Sequence, residues 1–249
     1  MLGKSPAWQD PGGACSGYLV EAGDRRVLLD CGNGVFAKLR LACDFAAVDA
    51  VVVSHLHADH FIDLVPFAYA LGLAPGAGSA ARRPALYAPP GAGETLRRVT
   101  GAWGSPELVE EAFELHEYDA GEVLDLGPLQ VSFREVPHFI LTHAVRMRDE
   151  RGSFTFGADC GPNEAIVELA RETDLLMLEA TVAQAAAADG ERGHLTAGEA
   201  GEHARRAGAR RLVLTHRSAD LDEARAREEA QRTFGAPVEV AHEGAAYVV

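Results

Sequence analysis

The stretch "SHLHADHFIDL" at residues 54–64 follows directly on the apolar run "AVVVS" at 50–54. A short apolar run of this kind reads as a buried strand, so His55, His57, Asp59 and His60 stand where a strand ends. Side chains two apart in extended chain point the same way, which lets His55 and His57 reach one ion. A turn into helix after His57 would swing Asp59 and His60 towards a second. Imidazole and carboxylate together suit zinc, manganese or iron. Asp63 has no such role and is expected to face solvent or to cap a helix.

Working outward, "GYLVEA" (17–22), "RVLLDCG" (26–32), "PLQVSFREV" (128–136), "SFTFGADC" (153–160), "DLLMLEAT" (174–181) and "RRLVLTH" (210–216) also read as strands. Helices are expected over 105–115, 161–173 and 195–208. The last opens with Thr196 and Glu199 at capping-box spacing and closes at Gly208. The stretches 74–84 and 183–193 read as mobile loops, too short to divide the chain. A single α/β domain over 1–249 is expected. With 47% hydrophobic residues the chain can fill a sizeable core.

Lys and Arg number 23 against 37 Asp and Glu, a net charge of −14. That field repels long polyanions, so nucleic acid is a disfavoured partner. A small anionic substrate remains admissible, because bound cations dominate the potential inside a site. No apolar run approaches the roughly 20 residues of a membrane span. The first residues lack the basic-then-apolar layout of a signal peptide, so no membrane partner and a cytoplasmic location are expected. Cys15, Cys31, Cys43 and Cys160 show no CxxC spacing and read as reduced thiols.

The sequence His-Leu-His-Ala-Asp-His resembles the motif of the metallo-β-lactamase-fold hydrolases. Further elements extend the resemblance over nearly the whole chain: Asp30 in "LLDCGNG", His138 in "EVPHFILTHAVRM", Asp159 in "FGADCGP" and His216 in "LVLTH". It implies a four-layer αββα sandwich with two divalent metal ions, zinc first. His55, His57 and His138 would hold one ion and Asp59, His60 and His216 the other. Asp159 would bridge them, and Asp30 would support the loop from behind, with Cys160 beside the site. His143 is the rival to His138. His116, His203 and His242 have no motif and read as surface or packing residues. Two such ions can share a hydroxide and clamp the oxygens of an in-line displacement, chemistry that fits phosphodiesters, thioesters, lactones and β-lactams alike.

Within the superfamily, an aspartate at 159 and the segment ending Val145-Arg146-Met147 resemble the branch of ribonuclease Z and bacterial cyclic-nucleotide phosphodiesterases. Ribonuclease Z carries a His-Glu-Ala-Thr element; here Leu178-Glu179-Ala180-Thr181 replaces its histidine with leucine. That departure, the acidic charge and the lack of a Lys-rich arm weigh against transfer RNA. The resemblance then implies hydrolysis of a 3′,5′-cyclic nucleotide through a metal-bridging hydroxide. Asp59 and His194 are the candidate catalytic groups, His194 as proton donor to the leaving oxygen. Arg146 and Arg217 are candidates for binding the substrate anion, and Arg82 and Arg83 for covering the site. Competing readings are a ribonuclease Z-like endonuclease, a thioester or lactone hydrolase, and a metal-binding sensor without activity. Relatives of this branch are often homodimers. The branch usually begins with a strand before "LG" at 2–3, so an unpaired sheet edge is expected near the N-terminus.

Overall fold

The computed structural model describes residues 1–73, 83–184 and 192–249. Two mixed sheets form its middle. The first runs in the order β1 (Tyr18–Ala22), β2 (Arg25–Leu29), β3 (Ala50–Val52), β4 (Ala85–Ala88), β5 (Glu114–Glu117). Its β1–β2 pair is antiparallel and the rest are parallel. The second runs β12 (Val238–Val240), β11 (Leu212–Thr215), β10 (Leu175–Glu179), β9 (Ser153–Phe156), β8 (Thr142–Arg148), β7 (Leu129–Val136), β6 (Val123–Leu126). It is parallel from β12 to β9 and antiparallel from β9 to β6.

The two-residue period of a strand divides the apolar side chains between layers. Val27, Leu29 and Val52 point into the core between the sheets, where they meet Val131, Phe133, Val145, Phe156 and Met177. Leu28 and Val51, one residue out of phase, face α1 (Val35–Ala42), α2 (Ala58–Phe61), α3 (Leu64–Leu73), α4 (Ala92–Gly101) and α5 (Leu108–Ala112). Leu176, Leu178, Leu212 and Leu214 face α6 (Glu164–Leu169), α7 (Ala197–Ala207) and α8 (Glu223–Phe234). Helices therefore flank two packed sheets, the αββα sandwich.

Local chemistry sets the boundaries. Thr196 and Glu199 form a reciprocal capping box at the start of α7, and Gly208 closes it in the left-handed region. Helix α1 starts at Gly34, which offers no side-chain cap. Asp63 supplies one from a distant turn, accepting from Phe36 N–H at 2.9 Å. Asp63 is thus buried, a cap for a helix far from it in sequence.

Other expectations need correction. The helix over 105–115 contracts to α5, because "ELHE" pairs with β4 as β5. The helix over 161–173 contracts to α6: Asn163 caps it, and Glu172 at φ +53° carries the chain out of helical conformation. The segment before β1 is not a strand, yet it is bonded. Leu2 and Gly3 donate to Gly17 O, and Lys4 and Ser5 to Ala14 O. Most of the two stretches expected as mobile loops, including Arg82, lies outside the described residues. No helix among the described residues is long and apolar enough to cross a membrane.

Candidate metal centre

The histidine-rich loop is fixed from below. The chain leaves β3 extended through His57 and turns into α2 at Ala58, so the two halves of the motif face different ways. Its backbone is tied to the loop after β2, where Cys31 N–H donates to His60 O (2.7 Å), and to the segment before β1, where Ser16 N–H donates to Asp59 O (3.2 Å). The fit is close, since a Cβ on Gly32 would lie 1.8 Å from Asp59 O. Asp30, Ala158 and His216 all adopt left-handed φ, at 57°, 53° and 51°. Each follows the last residues of β2, β9 or β11. A non-glycine residue there costs about 1–2 kcal/mol, and such strain gathers at functional sites.

Two groups of donor atoms result. His55, His57, His138 and Asp159 form one, and Asp59, His60, Asp159 and His216 the other. The atoms within each group lie within 4.8 Å of one another. Nε2 of His55 and Nε2 of His138 each lie 3.1 Å from Nδ1 of His57, and 3.8 Å from Oδ2 of Asp159. Nε2 of His216 lies 3.2 Å from Asp59 Oδ2 and 3.4 Å from Asp159 Oδ2.

The outer nitrogens explain why the inner ones point inward. His60 Nδ1 meets Asp30 Oδ2 at 2.7 Å, and His138 Nδ1 meets Gly193 O at 2.7 Å. Neither oxygen can donate, so each ring must give its Nδ1–H, and the neutral ring then carries its lone pair on Nε2. Ser54 Oγ donates to Asp30 Oδ2 (2.9 Å) and so accepts from His55 Nδ1 (3.1 Å). Thr181 Oγ1 donates to His216 O and accepts from His216 Nδ1, both at 2.9 Å. Four imidazoles are thereby set to present Nε2, as acceptors when neutral, towards one small space, the outer-shell arrangement of metal-ligating histidines. Asp30, fully buried, has its charge met by Ser54 N–H (2.7 Å), Ser54 Oγ and His60.

Two buried atoms, His60 Nε2 and Asp159 Oδ1, have no hydrogen-bond partner. They lie 3.4 Å apart without the alignment a bond requires. Leaving two such groups unmet costs about 1–3 kcal/mol each, and a cation between them would satisfy both. The donor set therefore fits divalent metal.

Electrostatics separate the groups. Burial holds His55 well below the ordinary histidine pKa, His57 below it, and His138 down to about 4. Burial opposes the charge on His60 as well, but Asp159 and Asp30 outweigh it and hold His60 well above the ordinary value. Burial also works against ionised Asp59 and Asp159. The neighbouring histidines prevail, and both carboxyls sit far below the usual range.

His194 stands at the rim, its ring 5.1 Å from that of His138 and 5.8 Å from that of His216. Its Nδ1 bonds to Glu179 Oε1 at 2.9 Å. Glu179 is fully buried and also accepts from Cys160 N–H at 2.8 Å. Burial disfavours the His194 imidazolium, but the Glu179 bond and charge raise its pKa overall. Glu179 and Thr181 are the partners the sequence left unassigned. The signal was faint: both lie in the quoted Leu-Glu-Ala-Thr element, where attention falls on Leu178, a core residue.

Several expected residues lie elsewhere. Arg146 alternates with Val145 and Met147, which enter the inter-sheet core. Its guanidinium therefore turns to the opposite face and donates to Leu169 O, Arg171 O and Ser153 Oγ. Arg217 departs from the site because His216 turns the chain. It is buried in a separate cavity with Lys4 and Asp10 and donates to Asp222 O. The Cys160 side chain packs in the apolar layer under α6 and α7, and only its N–H serves the site. Arg83 donates to Glu110 O and Phe113 O, tied to α5 rather than free to cover the site. His143 belongs to neither donor group; it is buried edge-on against Tyr118. His203 lies on the buried side of α7, accepting from Asn163 N–H. His116 stacks on Tyr87, and His242 is exposed.

A superfamily is defined by this sandwich with two donor groups at one end of its sheets. The profile of the beta-lactamase superfamily domain matches residues 25–217, and the chain belongs to that family. Among its relatives is the probable metallo-hydrolase YhfI of Bacillus subtilis, 29% identical over 93% of this chain and 91% of that one. The YhfI crystal structure superposes with a TM-score of 0.86, covering 98% of this chain and 95% of that one. Ribonuclease Z of Myxococcus xanthus is 30% identical over 98% of this chain and 95% of its own. The short form of human tRNase Z is similar in structure, with TM-score 0.73 and 25% identity, covering 88% and 92%. The chain is accordingly a metallo-hydrolase of this fold.

Proposed function

We propose that the chain is a two-metal phosphodiesterase that opens a small anionic diester, a 3′,5′-cyclic nucleotide. The observation that carries this reading is the pair of donor groups sharing Asp159, with the Glu179–His194 pair beside them. Zinc is the proposed metal. His55, His57 and His138 would hold one ion, Asp59, His60 and His216 the other, and Asp159 both. Such ions, when bound, acidify water for attack and offset the charge of phosphoryl oxygens.

The chain's own groups complete the reaction. Hydrolysis forms one P–O bond from water and breaks the bond to the leaving oxygen, which needs a proton. His194 gives Nδ1–H to Glu179, so Nε2 is the nitrogen left to deliver that proton. Glu179 fixes the ring and stabilises its charged form. Asp59, held ionised by His60 and His216, offers an acceptor oxygen to the attacking water. Thr181 and Asp30 hold His216 and His60 in the orientation this requires. The net charge of −14 opposes a long polyanion.

The test is to assay the metal-loaded protein on cyclic AMP, bis-p-nitrophenyl phosphate, a precursor transfer RNA, a thioester and a lactone. Hydrolysis of the two diesters is expected. Cleavage of the RNA alone, or of thioester or lactone alone, would replace this reading. His194→Ala should lower diester turnover by about 10²–10⁴-fold with metal content unchanged by elemental analysis.

A further inference from the structure

Most exposed apolar side chains in a protein are scattered and carry no message. Phe139, Ile140 and Leu141 are different: three in a row, 66%, 37% and 41% exposed, immediately after His138. The Phe139 ring lies 5.0 Å from that of His138 and 5.9 Å from that of His194. An exposed aromatic ring therefore borders both a candidate ligand and the candidate proton donor.

The backbone beneath it is pinned. Pro137 O accepts from Gly161 N–H at 2.9 Å, and His143 N–H donates to Ser54 O at 3.1 Å. Thr142 Oγ1 donates to Ile140 O at 2.9 Å, and Thr142 bridges to His55. Gly193 fixes the ring itself. A Cβ there would lie 2.5 Å from Phe139 Cε2 and 2.9 Å from His138 Nδ1. The glycine whose carbonyl orients His138 thus leaves the space that Phe139 occupies. A held loop that shows apolar side chains beside a polar site is pre-organised for a partly apolar ligand.

We propose that Phe139 is a specificity-determining platform on which the planar ring of the substrate stacks. Ile140 and Leu141 extend its apolar surface. The identity of that ring as a nucleobase rests on the phosphodiesterase reading; the platform rests on the geometry of residues 137–142 and 193. Bases offer a π-face whatever their hydrogen-bonding edge, so the platform selects for a ring and is tolerant of which base.

The test compares binding of adenosine 5′-phosphate and ribose 5-phosphate to the metal-loaded protein by calorimetry. The two share a phosphate and a sugar and differ in the base. Base–aromatic stacking predicts that the first binds about tenfold tighter. Phe139→Ala and Phe139→Leu should bring the ratio close to one with metal content unchanged, and Phe139→Trp should keep it. The new indole should also be quenched by adenosine 5′-phosphate and not by ribose 5-phosphate. A ratio near one in the unaltered protein, or the same ratio after Phe139→Ala and Phe139→Leu, overturns the platform. So would base-indifferent binding in a protein that self-associates until Phe139 is replaced. A base-dependent ratio with no hydrolysis of any phosphodiester would sustain the platform and remove the proposed reaction. Diester hydrolysis with no such ratio would do the reverse.

Discussion

The two donor groups meet at Asp159 yet differ in the competition a cation faces. At His55, His57 and His138 burial lowers the pKa, so the neutral ring is favoured before any cation arrives. At His60 the carboxylates of Asp30 and Asp159 stabilise the charged ring, so a cation must displace a proton. The imidazole-rich group resembles an open socket. The acid-rich group is an ion pair until metal replaces the proton. One fold thus presents two positions of similar geometry and unlike proton demand.

The sharpest way to break that contrast is to remove what the groups share. Asp159→Ala should strip metal from both positions by elemental analysis. Diester turnover should fall well beyond the ~10–100-fold that loss of a supporting partner costs. Two ions retained per chain would show that the groups do not depend on a common carboxylate.

Asp30→Asn comes next, because Asp30 reaches both groups, His60 directly and His55 through Ser54. Metal affinity should fall by roughly 10–100-fold at both. Thr181→Val is narrower. It removes the acceptor of His216 alone, so only the acid-rich position should weaken, by about tenfold, measured by competition with a chelator. Equal weakening of both positions would argue against the division.

The smallest effect is on pH dependence in the metal-free protein. A folded pKa raised above the ordinary 6.5 of histidine means that folded His60 holds its proton more tightly than the unfolded chain does. Its contribution to stability is full below about 6.5 and disappears as pH rises through the raised value. Asp59 and Asp159 act oppositely: their contribution is present above the ordinary 3.8 and is lost as pH falls towards their lowered values. His55, His57 and His138 act against that loss until the unfolded chain too has shed its histidine protons, by roughly pH 8. Beyond that point the melting temperature of the metal-free protein should decline as pH rises through the raised value of His60. Metal loading, which removes the His60 proton at every pH tested, should flatten that decline.

The same contrast marks what could be read in the sequence. His55, His57, Asp59 and His60 are neighbours, and the change from extended chain to helix at Ala58 follows from their spacing. Asp30, His138, Asp159 and His216 stand at strand ends, where alternation of apolar residues stops abruptly. Glu179 and His194 were harder, because no period relates a β10 end to the residue before a capping box. Arg146 and Arg217 failed for reasons sequence proximity conceals. Strand phase sends Arg146 to the helical layer, and the left-handed turn at His216 carries Arg217 away. The Cys160 thiol turns away likewise, since residues in succession face opposite layers, while its N–H still reaches Glu179.

The ligand loop hangs from the first sheet, whereas Asp159 and His216 end strands of the second. Any cation gripped by both is therefore a rivet across the seam of the sandwich, and occupancy becomes heat resistance. A ligand at a hundred times its dissociation constant adds about 2.7 kcal/mol to a fold that binds it only when intact. The melting curve is thus a gauge of metal preference, needing no substrate and no guess at the reaction. A chelator series would rank zinc, manganese and iron in a single afternoon of heating.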